Sequence, residues 1–281
     1  MITARDIELF RKLSIYGMLS TKQVGQLVFN SIASSTVCRR LRLLEAGFYV
    51  KRIRGLESQD VLWVLADRGA KLAEVEATKR HWSKNMLDHD FKLLSLRLAL
   101  EGSGLAHSWE PEHAIRSNVF KKNGFRAAKE KLIPDGLMST EVKGYSQTVA
   151  IELELEMKSI KRYGEIFRRY SGKSNLYAIW YLAPRNDIRN TVFRCWRHYK
   201  SLYRLPTLYV SDLDEVMKDP LNARLFGEEA PMPIGKTWSP KMIQVPALSP
   251  AQGVSNQPEK NVEKKVELTA EDHTPISKDV A

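Results

Sequence analysis

The 281-residue sequence contains only two cysteines, Cys38 and Cys195, with no metal-like spacing between them. That scarcity excludes a disulfide framework and a cysteine-based structural zinc site. A run of eighteen apolar residues is also missing, so no membrane span is expected. The opening Met1-Ile2-Thr3-Ala4-Arg5-Asp6 does not have the plan of a secretory leader, and a cytoplasmic location is the expectation. No internal repeat recurs at a fixed period. Acidic charge is the last shortage: 33 Asp+Glu stand against 44 Lys+Arg, a net charge of +11. The excess is uneven. Residues 1–84 carry 15 basic and 8 acidic side chains, residues 85–226 carry 23 and 17, and residues 227–281 carry 6 and 8. The basic surplus lies in the part expected to fold, which points to a polyanionic partner such as DNA.

The first 78 residues are expected to form one domain. Ile7, Phe10, Leu13 and Ile15 recur near helical spacing up to Gly17. Ser20-Thr21 caps a second helix carrying Val24 and Leu27. A third starts at Ser34-Ser35, turns Val37, Leu41 and Leu44 inward and ends at Gly47. Two short strands follow, Phe48–Ile53 and Val61–Leu65, with Gly55 in the loop between, and Asp67-Arg68-Gly69 opens another short helix. Three helices and a hairpin resemble a winged helix-turn-helix domain. That resemblance implies that Ser35, Thr36, Arg39, Arg40 and Arg42 of the third helix face the major groove. Lys51, Arg52 and Arg54 would lie on the wing and touch the DNA backbone. The competing reading is a solvated basic helix in a protein–protein module.

Residues 79–226 are expected to form a second domain. A long helix over 79–101 puts His89, Leu93, Leu96 and Leu100 on one face, widened by Phe91, Leu94 and Leu98. His89 reads either as a satisfied core histidine or as support for a site. Leu105–Trp109 reads as a strand. Residues 110–130, with Arg116, Lys121, Lys122, Arg126 and Lys129, read as a basic loop. Next come Leu132-Ile133-Pro134-Asp135-Gly136 and an alternating run, Val149–Met157. In that run Val149, Ile151, Leu153 and Leu155 fall on one face of a strand and Glu152, Glu154 and Glu156 on the other. If the two segments pair, carboxylates crowd one patch. Such a patch either faces open water or is neutralised by a hard cation. A helix over 158–170, an apolar strand over 176–182 ended by Pro184, a helix over 187–203 and a strand at Leu208-Tyr209-Val210 complete the order. The class expected is α/β with an α+β N-terminal domain, helices covering both faces of a mixed sheet.

Pro134-Asp135-Gly136, Glu152-x-Glu154, Lys158 and a helix ending in Arg168-Arg169-Tyr170 resemble the PD-(D/E)xK nuclease superfamily. More narrowly they resemble the replication-relaxation family, to which MobC-type plasmid mobilisation relaxases are similar. The resemblance implies a restriction-endonuclease-like core in which Asp135, Glu152 and Glu154 hold Mg²⁺ or Mn²⁺. Lys158 would lie near the scissile phosphate, and His89 on the first helix would support the site. Glu101 is a further acid on that helix. The chain departs from the superfamily pattern in one respect: Glu154 stands where the lysine usually falls, and Lys158 comes four residues later. None of the six histidines forms a His-x-His pair, which argues against the relaxase class built on such a metal site. The expected function is metal-dependent strand nicking at an origin of transfer or replication, with double-stranded DNA and other relaxosome or coupling proteins as partners. The alternative is a non-catalytic DNA-binding accessory protein with a degenerate nuclease domain.

From Gly227 the composition shifts. Seven of the twelve prolines lie in residues 227–281, with few apolar runs, so a disordered tail is expected there.

Overall fold

The computed structural model describes residues 1–30, 32–54, 61–77 and 84–241. The described residues fall in one compact unit, Met1–Ile243. The boundary expected near residue 78, Gly55 and the tail beyond 241 lie outside the described residues.

Helix α1 (Ala4–Tyr16) opens with a capping box: Thr3 accepts from the Asp6 N–H, and the Asp6 carboxylate accepts from the Thr3 N–H. Strand β1 (Leu19–Ser20) leads into α2 (Thr21–Val28), where Ser20 and Gln23 form a second capping box. Helix α3 (Ser34–Ala46) buries Val37, Leu41 and Leu44, as the spacing predicts. Strands β2 (Val50–Ile53) and β3 (Leu62–Leu65) pair antiparallel, and β1 joins the other side of β3. Helix α4 (Asp67–Ala73) closes this part against α1. One apolar cluster holds it together, with Leu9, Phe10, Leu41 and Leu62 fully buried.

Helix α5 (Lys84–Gly102) contributes to two cores. Leu87 and Leu94 belong to the first cluster, whereas Leu96 and Leu100 belong to the cluster under the larger sheet. This explains why its apolar stripe is so wide in sequence.

The larger sheet contains β4 (Ser108–Pro111), β5 (Gly136–Val142), β6 (Tyr145–Leu153), β7 (Ala178–Ala183) and β8 (Thr207–Asp212), in that order. The first three pair antiparallel; β6, β7 and β8 run parallel. Helices α7 (Ile160–Tyr170) and α8 (Asn186–Lys200) cover one face, burying Tyr163, Phe167, Ile188 and Trp196 against Ala150, Ile179 and Leu208. Helix α5 and the short α9 (Leu213–Lys218) cover the other. The α/β expectation therefore holds as a mixed sheet with helices on both faces.

Three local expectations are corrected. Residues 112–130 form a helix, α6 (Glu112–Glu130), broken at Gly124, where a loop was expected. Its Lys, Arg, Ala and Glu residues favour helix; among its described side chains only Ile115 is buried. Strand β6 stops at Leu153, so Glu154 and Glu156 are not on it, and its middle is buried on both faces. Finally, residues 227–241 are folded. Strands β9 (Arg224–Leu225) and β10 (Met232–Pro233) pair, and α10 (Ile234–Thr237) follows. Ile234 and Trp238 are fully buried. Prolines suggested disorder, but two large apolar side chains reach the sheet.

Candidate active site

The end of β6 is shaped by Pro134. Gly136 pairs with Ile151, so continuing the register sets Asp135 level with Glu152 and Pro134 level with Leu153. Proline has no N–H and cannot extend the ladder. The Asp135 carboxylate takes over instead and accepts the Leu153 N–H at 2.8 Å. Gly136 is required here: a Cβ would come within 2.6 Å of the Trp109 ring. The Pro-Asp-Gly segment thus fixes one carboxylate at the mouth of the sheet, where it also borders a cleft of about 70 Å³ lined by Tyr16, Arg97 and Trp109.

Around this point the expected site residues gather. His89 Nε2 lies 3.2 Å from the Leu153 carbonyl and 3.5 Å from Asp135 Oδ2, and its Nδ1 is 3.7 Å from Asp90 Oδ1. Burial disfavours charge on the ring, but the Asp135 and Asp90 carboxylates outweigh it and hold the imidazole up at about 10. These surroundings, two carboxylates and the Leu153 carbonyl, favour the protonated ring of His89. Glu152, on β6, accepts a hydrogen bond from the Tyr170 hydroxyl of α7. Burial and then the Asp135 charge push its carboxyl up to about 8, against the pull of Tyr170 and Lys158. Glu154 is buried, with 4% of its surface exposed, and ion-pairs with the Lys158 ammonium. Burial raises its pKa and Lys158 offsets that only in part. The Lys158 N–H donates to the Tyr163 hydroxyl at 3.2 Å, and Ser159 caps α7, so the lysine stands where strand hands over to helix.

Asp135, Glu152, Glu154, Lys158 and His89 thus form one connected electrostatic group. Among the described residues, no three His, Cys, Asp or Glu side chains are gathered as a ready metal cage. Glu101 is elsewhere, held by Arg97 and the Tyr16 hydroxyl. Sequence reasoning did not single out Asp90, Tyr163 or Tyr170 for these contacts. The sequence signal for Tyr170 is its place in the Arg168-Arg169-Tyr170 run; Tyr163 shares its buried helix face.

On the first part of the chain, Ser35, Thr36, Arg39 and Arg42 are exposed along α3, and Lys51, Arg52 and Arg54 are exposed at β2. Arg52 pairs with Glu45 at 3.1 Å. Arg40 is engaged within the fold: its guanidinium is bound to Asp6 and donates to the Met1 carbonyl at 3.0 Å. Asp6 is fully buried and needs that countercharge, so Arg40 serves the fold.

A family model described as Replication-relaxation matches residues 10–177. The chain belongs to the replication-relaxation family. Membership implies a role in DNA replication or relaxation, and hence an interaction with DNA. In this replication-relaxation protein the matched span runs from α1 to the residue before β7 and includes the whole acidic group. No curated protein matches the chain. Among solved structures, the restriction endonuclease FokI matches with a TM-score of 0.27 at 13% identity, over 76% of this chain and 43% of that chain. A likeness of that size assigns no fold. No helix of the described residues is long and apolar enough to cross a membrane.

Proposed function

We propose that this protein binds duplex DNA at an origin of transfer or replication and nicks one strand at the Asp135–Glu152 centre. On this reading α1–α4 and β1–β3 are a winged helix-turn-helix module, and the five-stranded sheet is a PD-(D/E)xK nuclease-like core. The observation that carries the reading is the gathering of Asp135, Glu152, Glu154 and Lys158 where β6 gives way to α7. Arg39 and Arg42 would meet the major groove, and Lys51 and Arg54 the backbone beside it. Other transfer or coupling proteins, and a cytoplasmic setting, belong to the same reading.

Mg²⁺ or Mn²⁺ suits the acidic pair. Mg²⁺ takes one or two carboxylates together with water and substrate phosphate. Asp135 and Glu152 supply two, set level with each other where β5 and β6 end, and a bound cation would favour the ionised form of Glu152 that burial and the Asp135 charge disfavour. When bound, the cation supplies Lewis-acid polarisation of the phosphodiester and a more acidic attacking group. The chain's own residues do the rest. The Leu153 N–H and His89 hold Asp135 in place, and Tyr170 orients Glu152. Lys158 is 40% exposed and can exchange Glu154 for a phosphate oxygen, meeting charge that develops in the transition state. Glu154, freed by that exchange, becomes a further ligand or base.

The test is nicking of supercoiled plasmid carrying the origin, with Mg²⁺ or Mn²⁺. Asp135→Asn and Glu152→Gln are expected to reduce cutting to background, and Lys158→Ala to slow it on the order of 100-fold. Equal cutting by both acid variants and the wild type would remove the site assignment. One observation favours the non-catalytic reading: each acid already has an internal partner, Glu154 above all. A footprint at the origin with no metal-dependent nicking would select it.

A further inference from the structure

The outer side of α8 carries two stripes that the acidic centre does not use. Asn190 and Arg194 follow at four-residue spacing on one, and Arg189, Phe193 and Arg197 on the other. Together they wall a cavity of about 510 Å³, closed opposite by Val210 and Phe226. The far wall is fixed, because Phe226 and Val210 exchange backbone hydrogen bonds at 2.9 and 2.8 Å. All of these residues lie beyond the family-matched span.

The charges are unbalanced. Arg189 is neutralised by Asp212 at 2.7 Å. The nearby acids Asp187 and Glu228 are taken by Arg185 and Lys200. Arg194 and Arg197 are exposed and have no carboxylate partner among the described residues. The Arg197 guanidinium lies 4.6 Å from the centre of the Phe193 ring, which stacks on Trp196 with centroids 5.8 Å apart. A flat guanidinium on an aromatic ring offers a stacking surface and phosphate-binding N–H groups at once. A ligand for this cavity must bring negative charge and a planar ring together, which is the chemistry of a nucleotide. A cavity of this size accepts such a unit. Bases within a duplex are stacked away from such a surface, whereas those of a single strand can turn into it. The cavity also begins near the acidic centre's edge of the sheet. Arg189 donates to the Ala183 carbonyl at 2.8 Å, at the end of β7, the parallel neighbour of β6.

We propose that this cavity binds nucleotides of a single DNA strand freed from the duplex beside the cut. The inference rests on the DNA-nicking reading for its context, but its own readout is binding. Fluorescence anisotropy of labelled oligo-dT with the full chain is the test. Arg194→Ala/Arg197→Ala should weaken oligo-dT binding about tenfold, the scale of one lost base-stacking contact. It should also flatten the salt dependence by about 1.4 in log–log slope, at roughly 0.7 per lost phosphate contact. Arg194→Lys/Arg197→Lys should restore the slope but only part of the affinity, since lysine lacks the flat face. Duplex binding, measured on the origin fragment, should stay within about twofold. Both residues are exposed, and an unchanged circular dichroism melt checks the fold. Oligo-dT affinity unchanged in the alanine pair overturns the proposal. So does a wild type that binds duplex but not oligo-dT, or free thymidine monophosphate competing as well per nucleotide. Loss of oligo-dT binding in a protein that never nicks overturns the enzymatic reading and leaves this one standing.

Discussion

Asp6 shows how one buried charge constrains a helix that sequence alone would give to DNA. Its carboxylate closes the α1 capping box and is wholly buried, so it needs a cation, and Arg40 of α3 supplies it. Removing one partner of such a pair leaves the other charge stranded. Arg40→Met should cost about 3 kcal/mol in urea unfolding at neutral pH. The pH dependence has a definite sign. Burial alone would raise the Asp6 carboxyl, but the hydrogen bonds from Arg40 and Thr3 outweigh it and leave the pKa below the ordinary 3.8. A depressed folded-state pKa gives stability that is complete above the unfolded value and lost as pH falls through the folded one. The gap between wild type and Arg40→Met should therefore narrow when the unfolding is repeated near pH 3. Glu152 has the opposite sign. Its carboxyl rises from an ordinary 4.5 to about 8 through burial and the Asp135 charge. Wild type therefore loses stability between those values as the unfolded chain ionises first. Glu152→Gln should gain thermal stability over wild type as pH rises from 4.5 to 8, in the variant expected not to nick. Asp135, Glu152 and Lys158 could be picked out by residue type and order. The Arg40–Asp6 pair could not, because the partners are 34 residues apart in sequence and meet only through the α1–α3 packing.

At the scale of elements, α7 and α8 set the floor under Glu152. Gly164 of α7 faces Tyr199 of α8 so closely that a Cβ would come within 2.0 Å of the tyrosine hydroxyl. Tyr199 has little room to give, since it lies against Phe167 and Tyr203 at 6.5 and 6.2 Å between centroids. Gly164→Ala sets two effects against each other. Alanine gains up to about 1 kcal/mol in helix propensity, while overpacking costs about 1–3 kcal/mol. The clash should win, lowering the melting temperature, and Gly164→Ala/Tyr199→Leu should recover part of the loss. Because Tyr170 stands on the same helix, the single variant should also slow nicking more than it slows DNA binding. The strongly periodic α7 and the apolar β7 follow directly from the sequence. The limits of β6 do not, because the Glu-x-Glu alternation continues past Leu153 while the ladder to β5 ends at Gly136–Ile151. Helix α6 was hidden for the converse reason: good local propensity with a weak apolar pattern in its sequence.

For the whole molecule, the decisive element is α5, and the question is whether the two apolar cores can melt apart. The sequence suggests a small helical domain, a second α/β domain and a tail. Yet α5 places Leu87 and Leu94 in one core and Leu96 and Leu100 in the other, within a single helix. Residues past the expected end of the fold close the second core: Trp238 packs edge-on against Trp180 at 4.7 Å and Tyr209 at 5.8 Å. Truncating a buried tryptophan costs about 3–5 kcal/mol. If α5 transmits that loss, Trp238→Ala should lower one shared transition, seen alike by far-ultraviolet circular dichroism and by fluorescence. Tryptophans lie in both cores, Trp63 in the first and Trp180 in the second, so the summed fluorescence and the circular dichroism should shift together, as two-state unfolding requires. Two separate transitions, with only the later-sequence core moved by the substitution, would mean that α5 unwinds between Leu94 and Leu96. The chain would then behave as the two domains its composition suggests.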